Sequence, residues 1–388
     1  MAALEQWPRD GVPSNPGGWL MLTAKHRAID RIRRDSTYAT KLAVLGRDLV
    51  IGPPEPLLPP GLDPNEAIQD DLLRMVFTAC HPVLSPLAQV ALTLRMVGGL
   101  TTVEIARAYL VPESTVAQRI VRAKRTIADQ AVPFEVPHGP ELAARLESVL
   151  EVIYLIFNEG YAATGGDEWV RMELMEDALR LARILQGLMP EEPEVHGLAA
   201  LLELQASRAP ARRSPTARLV LLADQDRARW DRLLVRRGFS ALGRAHALGR
   251  GRGVLPGRYA LQAAIAAAHA VAPTSEDTDW RRIAGLYATL ADRFPSPVVE
   301  LNRAVAVAMV YGPGAGLELV DAVAATGALD KYHLLPAVRG DLLARLGQFD
   351  EAAAAFAQAV SLTANEAERS YLRSRADDCA GAEGASRR

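Results

Sequence analysis

Two proline clusters cut this sequence into three stretches, and the residues between them are mostly helix formers. From Gly46 to Pro64 the chain reads GRDLVIGPPEPLLPPGLDP, whose six prolines forbid helix and impose an extended, semi-rigid connector. Pro133, Pro137 and Pro140 make the second break, three prolines in eight residues. Across the chain apolar residues are 49% but aromatics only 5%, so the apolar content is chiefly Ala, Leu and Val. That balance favours helix and is a poor match for a β-sandwich or barrel. The expected fold class is all-α, with blocks at residues 1–47, 66–131 and 141–388 and linkers at 48–65 and 132–140.

Lys plus Arg number 44 against 46 for Asp plus Glu, a formal charge of −2 that taken whole suggests no nucleic-acid partner. Divided by block, the near-neutrality is a cancellation. Lys25, Arg27, Arg31, Arg33, Arg34, Lys41 and Arg47 face only Asp30 and Asp35 between Trp19 and Arg47. In the second block Glu66, Asp70 and Asp71 come first, while Arg119, Arg122, Lys124 and Arg125 gather at the end, so basic ridges are expected on particular helices. The two cysteines, Cys80 and Cys379, are too few and too far apart for a secreted disulfide framework, which favours a reducing compartment, the cytoplasm. Residues Met1 to Trp7 lack a signal-peptide pattern, and the greasiest run, Ala260 to Ala272, is shorter than a bilayer requires. No membrane association is expected.

The second block has the pattern of a helix-turn-helix. Thr102 to Tyr109 can form a short helix with Thr101 or Thr102 as N-cap, and a tight turn follows at Leu110 and Val111. Pro112 and Glu113 suit the start of a second helix, which runs from Ser114 to about Ile127. Val116, Ile120, Ala123 and Ile127 form one stripe, to be buried against Ile105, Ala106 and Leu110. Ser114, Thr115, Gln118, Arg119, Arg122 and Arg125 then face outward, where Gln and Arg can contact base edges and the others phosphates. Leu87 to Val97 supplies the third helix. An ordinary amphipathic helix with a solvated basic face fits the same periodicity. In the first block, a helix from Trp19 places Arg27, Arg31 and Arg34 on one side, a ridge suited to a phosphate backbone or, equally, to water.

These segments together resemble the extracytoplasmic-function sigma factors of bacterial RNA polymerase. WLMLTAKHRAIDRIRR is similar to the end of their second region, which reads the promoter −10 element, and LAQVALTLRMVGGLTTVEIARAYLVPESTVAQRIVRAKRTIA to their fourth, which reads the −35 element. The rest, with LIFNEGYAATGG, RYALQAAIAAAHA and SPVVELNRAVAVA, resembles the subgroup with a C-terminal tetratricopeptide-like extension. The resemblance implies core RNA polymerase and promoter DNA as partners. It puts −35 contacts on Glu113, Ser114, Thr115, Gln118, Arg119 and Arg122, with Arg125 continuing the ridge. It puts −10 contacts on the loop from Arg9 to Gly18, including Asn15, and on Lys25, His26, Arg27, Asp30 and Arg31, with Arg34 beside them. His26 departs from the asparagine of many relatives. The family's second region opens with two further helices that bind the polymerase clamp, and Met1 falls near the end of the second, so a start upstream is expected.

The third block reads as helix after helix, including Leu174 to Leu188 and Val195 to Ser207. Pro297 to Ala324 and Tyr332 to Val360 superpose with Gly312 on Gly347, an offset close to the ~34-residue tetratricopeptide period. Ala304, Ala352 and Ala355 would let such helices approach closely, and Leu346, Gly347 and Phe356 echo the repeat's pattern. Such a stack is by default a surface for a protein partner or for an intramolecular contact. Asn158, Glu159 and Tyr161, polar against the apolar run Val152 to Phe157, are the candidate regulatory contact, with a satisfied helix end as the plainer reading. The resemblance implies that the extension takes the place of a separate anti-sigma factor, by folding back on the DNA-binding blocks.

Other signals point nowhere. Cys80 and His81 have no second ligand pair at metal spacing, and Cys80 fits a buried position before a helix break. Gly249 to Gly253 (GRGRG) lacks the features of a phosphate loop and reads as a mobile surface loop. No catalytic residues, cofactor or metal are expected, and the chain is expected not to be an enzyme. The competing readings are a stand-alone helix-turn-helix regulator that does not touch polymerase, and a repeat scaffold whose DNA-binding segments are degenerate.

Overall fold

The computed structural model describes residues 64–109, 111–162, 170–212 and 220–386. Among them are sixteen α-helices and no strand, the all-α class that the composition favours. The first block, almost all of the first linker and every expected −10 residue lie outside the described residues.

Four helices come first: α1 (Pro64–Ala79), α2 (Pro86–Met96), α3 (Thr102–Ala108) and α4 (Glu113–Asp129). After a loop carrying Pro133 and Pro137 come α5 (Gly139–Tyr161), α6 (Met172–Leu188), α7 (Pro193–Ala206), the single turn α8 (Ala209–Arg212), α9 (Arg232–Gly251) and α10 (Arg258–Val271). Helix α7 is apolar on nearly every side, with Val195, Leu198, Leu201, Leu202 and Leu204 all buried. A helix of that kind belongs at a centre, and α5, α6, α9 and α10 pack around it. The hydrophobic core runs without interruption from Met75 in α1 to Ala267 in α10. The second proline break therefore separates helices and leaves their core continuous.

The remaining helices are α11 (Trp280–Arg293), α12 (Pro297–Tyr311), α13 (Pro313–Ala325), α14 (Leu334–Arg345), α15 (Phe349–Leu362) and α16 (Glu366–Ser386). Each packs on the next, and α12/α13 and α14/α15 form successive hairpins. Gly312 (φ +95°) and Gly347 (φ +78°) occupy the two hairpin turns, so their superposition in sequence is also one of geometry. Close packing needs the small residues. A Cβ on Gly316 would lie 2.5 Å from that of Ala308 and 2.8 Å from the Ala304 carbonyl.

The Gly249 to Gly253 segment corrects the expectation of a loop. Helix α9 continues through Gly251, Arg252 closes it, and only Gly253 (φ +66°) turns away. The cause is packing. Gly238, Ala241, Leu242, Ala245 and Gly249 are buried on one side of α9, and at Gly238 a Cβ would strike the Leu204 side chain at 2.5 Å. Burial of that face outweighs the weak helix propensity of glycine.

Candidate nucleic-acid interface

The helix-turn-helix is built by local chemistry. Thr101 and Glu104 form a reciprocal capping box: the Thr101 N–H donates to Glu104 Oε2 at 2.7 Å and the Glu104 N–H to Thr101 Oγ1 at 3.2 Å. Of the two threonines, Thr101 is therefore the cap of α3. The Val111 N–H returns to the Ala106 carbonyl at 3.0 Å and closes the helix. Pro112 is the N-cap of α4, and no side chain caps that amino end. Glu113 accepts from Thr102 Oγ1 at 3.0 Å, tying the start of α4 to the start of α3.

Helix α4 is strongly two-faced. Val116, Ile120 and Ala123 are buried together with Ile105 and Ala106, and Ile127 is partly buried beside them. Leu110, the last expected member of that stripe, lies outside the described residues. On the other face Glu113, Ser114, Gln118, Arg122 and Arg125 are exposed, while Thr115 and Arg119 are half-buried. Thr115, Gln118, Arg119 and Arg122 line one wall of a cleft of about 360 Å³, and Val83, Ser85 and Ala88 at the start of α2 line the other. Arg125 pairs with Asp129 at 3.4 Å, but both side chains are so exposed that the contact contributes little. Amide, hydroxyl and guanidinium groups on one accessible helical face, with an uncapped amino end, can engage base edges and phosphates.

The opposite side of this unit is held by the extension. The carbonyls at the end of α1 are capped by side chains from α2 and α5. Arg145 Nη2 donates to the Phe77 carbonyl at 2.9 Å, Ser148 Oγ to that of Cys80 at 2.8 Å, and Gln89 Nε2 to those of Cys80 and His81 at 3.1 and 2.9 Å. From α6, Arg180 Nη2 reaches the Gly98 carbonyl at 2.7 Å. The contact that the extension makes with the described DNA-binding block is thus on the back of the helix-turn-helix, and the outward face of α4 stays exposed. Sequence reading missed these groups, although Arg145 stands first in the buried stripe continued by Val149, Val152 and Ile156, where a charge demands a partner.

Asn158, Glu159 and Tyr161 lie at the end of α5. Glu159 pairs with Arg171 at 2.6 Å with both side chains largely buried, the Tyr161 ring stacks on Phe157, and the Arg212 guanidinium lies 3.7 Å from the centre of the Tyr161 ring while donating to the Tyr161 carbonyl. The Ala162 N–H bonds to the Asn158 carbonyl. Cys80 is buried at the end of α1, bonded to Thr93 Oγ1, and burial pushes its thiol up to about 12, so it stays protonated. Among the described residues no cluster of metal-ligating side chains is present.

This geometry defines a class, a protein all-helical among the described residues and carrying a helix-turn-helix with an accessible polar helix. Residues 74–127 match the family profile of sigma-70, region 4, which makes the chain sigma-factor-like in that segment, with the DNA-binding role in transcription that this region implies. Residues 145–246 match a family described as of unknown function (DUF6596). The chain is 42% identical to an uncharacterized protein of Rhizobium meliloti (strain 1021) over 97% of this chain and 87% of that one, and it belongs to the same family. Among the described residues, no helix is long and apolar enough to cross a membrane.

Proposed function

We propose that this chain is a sigma factor of the extracytoplasmic-function class, acting in the cytoplasm. It binds core RNA polymerase, reads the −35 element through α4 and the −10 element through residues 1–47, and helps melt the promoter. The observation that carries this reading is the exposed row Ser114, Gln118, Arg122 and Arg125 on the second helix of a helix-turn-helix, within the segment that matches sigma-70 region 4. The positive-φ glycines of two successive hairpins support a tetratricopeptide-like extension, which regulates activity through a protein partner or an intramolecular contact near Asn158, Glu159 and Tyr161. The chain has no catalytic activity and needs no cofactor in this reading.

Run-off transcription with purified core polymerase, on a promoter taken from upstream of the gene, tests it. Core-dependent transcripts are expected. DNA binding without any effect of core would favour the stand-alone regulator, and neither activity the scaffold. Removal of the hairpins from Pro297 onward tests the extension, because that cut spares the core shared with the helix-turn-helix. Unchanged transcription would count against a regulatory role for those hairpins.

A further inference from the structure

The extension encloses a positive charge that no carboxylate among the described residues balances. Arg208 follows α7 and is 6% exposed. Its Nη2 donates to the Ala266 carbonyl at 3.1 Å, a group inside α10 that also accepts along its own helix. The guanidinium lies 5.1 Å from the centre of the Trp230 ring, and Nε has no partner. Burial holds Arg208 below the usual arginine range, and only the phenols of Tyr161 and Tyr287 act against that, Tyr161 also through a side-chain hydrogen bond. Arg227 provides the contrast. It is as buried, its Nε is likewise unpartnered and it lies 5.3 Å from the same ring, yet its Nη1 donates to the carbonyls of His269 and Ala272 and its Nη2 to Thr278 Oγ1. Arg227 ties loops together, whereas Arg208 is only partly used.

Arg208 lines a cavity of about 450 Å³ among α5, α7, α10, α11 and α12. That volume suits a small molecule. The polar lining includes Gln205, Gln262, His269 and Tyr287 as well as Arg208 and Arg258, and no carboxylate is part of it. Ile265, Val298 and Val299 supply an aliphatic wall. The neighbouring cavity between α8 and the last hairpins also holds cations, but there Arg375 pairs with Asp341 and His333 with Glu368. A buried guanidinium whose partners are all neutral and which no carboxylate balances is a site for an anion.

We propose that this cavity binds a small organic acid, its carboxylate or phosphate on Arg208 and its apolar body against Ile265, Val298 and Val299. The inference stands apart from promoter reading, and its test needs no DNA. The unfolding midpoint of the full chain is measured with benzoate, with inorganic phosphate and with chloride at matched ionic strength. Benzoate, phosphate or both should raise it saturably beyond chloride, and which of them acts identifies the acid group. In Arg208→Met that rise should vanish, and in Gln262→Leu the half-saturating concentration should increase several-fold. Without added acid, Arg208→Met should unfold close to the wild-type midpoint, because the Ala266 carbonyl keeps its helix partner and loss of the Tyr161 bond is offset by removal of a buried charge that no carboxylate balances. Acids that act no differently from chloride would overturn the proposal. So would a rise that survives Arg208→Met, or an acid-free variant that unfolds well below wild type and so marks Arg208 as a structural cap.

Discussion

Arg145 is where the union of the helix-turn-helix with the extension can be measured. The residue is 5% exposed, and its Nη2 holds the Phe77 carbonyl at 2.9 Å. Phe77 lies in the last turn of α1, where carbonyls lack partners along their own helix. The next N–H groups go elsewhere, that of Cys80 to Val76 and that of His81 to Thr78. A hydrogen bond to a charged group contributes about 1.5–3 kcal/mol, and an orphaned buried carbonyl costs about 1–3 kcal/mol. Desolvation of Arg145, whose Nε is unpartnered, offsets part of that gain. The ion pair with Glu141 adds little, because the Glu141 side chain is 64% exposed. Arg145→Met, which keeps the packing of the stem, should therefore destabilise the full chain by about 1–3 kcal/mol in urea denaturation. Glu141→Gln should change stability by less than about 0.5 kcal/mol. Ser148→Ala removes the adjacent cap on Cys80 and should couple to Arg145→Met by at least about 0.5 kcal/mol in a double-mutant cycle. An Arg145→Met loss below about 0.5 kcal/mol would refute the reasoning. So would a loss confined to a separate transition, since the core from α1 to α10 is continuous.

On DNA, Arg122→Ala and Gln118→Ala should each weaken binding by about 1–3 kcal/mol at one promoter position if they read a base, which a competition series of single-base promoter variants resolves. Equal loss on every sequence would make them phosphate contacts. Burial, with Arg208 and Arg227 close by, lowers His269 from 6.5 to about 3. The unfolded chain thus takes up the proton first, so this contribution to stability is complete above about pH 6.5 and is lost as pH falls toward 3, by at most ~1.4 kcal/mol per pH unit. His269→Leu should flatten that part of the midpoint-versus-pH curve, and an identical slope would contradict the assignment. Gly316→Ala should destabilise by about 1–3 kcal/mol through overpacking onto Ala308, whereas Gly314→Ala, with open space around it, should be neutral or slightly stabilising in the same melt.

Periodicity was enough to read α4, because its stripe of Val116, Ile120 and Ala123 is clean and its other face is plainly polar. The turn was legible from Pro112, but the cap of α3 stayed open between Thr101 and Thr102, and it is the reciprocal bonding with Glu104 that decides for Thr101. The hairpin turns were legible as two glycines at a repeat spacing. What the sequence concealed are tertiary partnerships between distant segments. Arg145 and Phe77 are 68 residues apart, and Arg208 and Ala266 are 58 apart. No local pattern links such pairs, and the sole sign of them is a charge placed where the helical period calls for an apolar residue. Continuity of the core was hidden for the opposite reason. Pro133 and Pro137 are strong local punctuation, yet they govern only the loop, while Leu146, Val149 and Ile153 of α5 complete the hydrophobic surface of the helices before it.

That continuity bears on how an extension could govern DNA reading. A tether would allow it to swing over α4 and cover the reading face, but the described contacts run through the back of the unit. Arg145 and Ser148 of α5 seize the end of α1, and Arg180 of α6 takes the Gly98 carbonyl in the turn that precedes α3. Any rearrangement of α5 or α6 therefore reaches the helix-turn-helix through hydrogen bonds at the end of α1 and the start of α3, and through Tyr109 at the end of α3, which packs on the shared core near Glu159 and Arg171. Cutting the chain after Val132 would remove these contacts and expose the apolar faces that α5 and α6 now cover, so loss of DNA binding by such a fragment would report its unfolding. Arg180→Met separates the possibilities better. It deletes one of these contacts while the core persists, and its Asp177 pair at 2.6 Å is partly exposed. If the extension acts on DNA reading through these contacts, Arg180→Met should change −35 affinity by more than its effect on stability accounts for. Unchanged affinity in a folded variant would exclude Gly98 as a route between them.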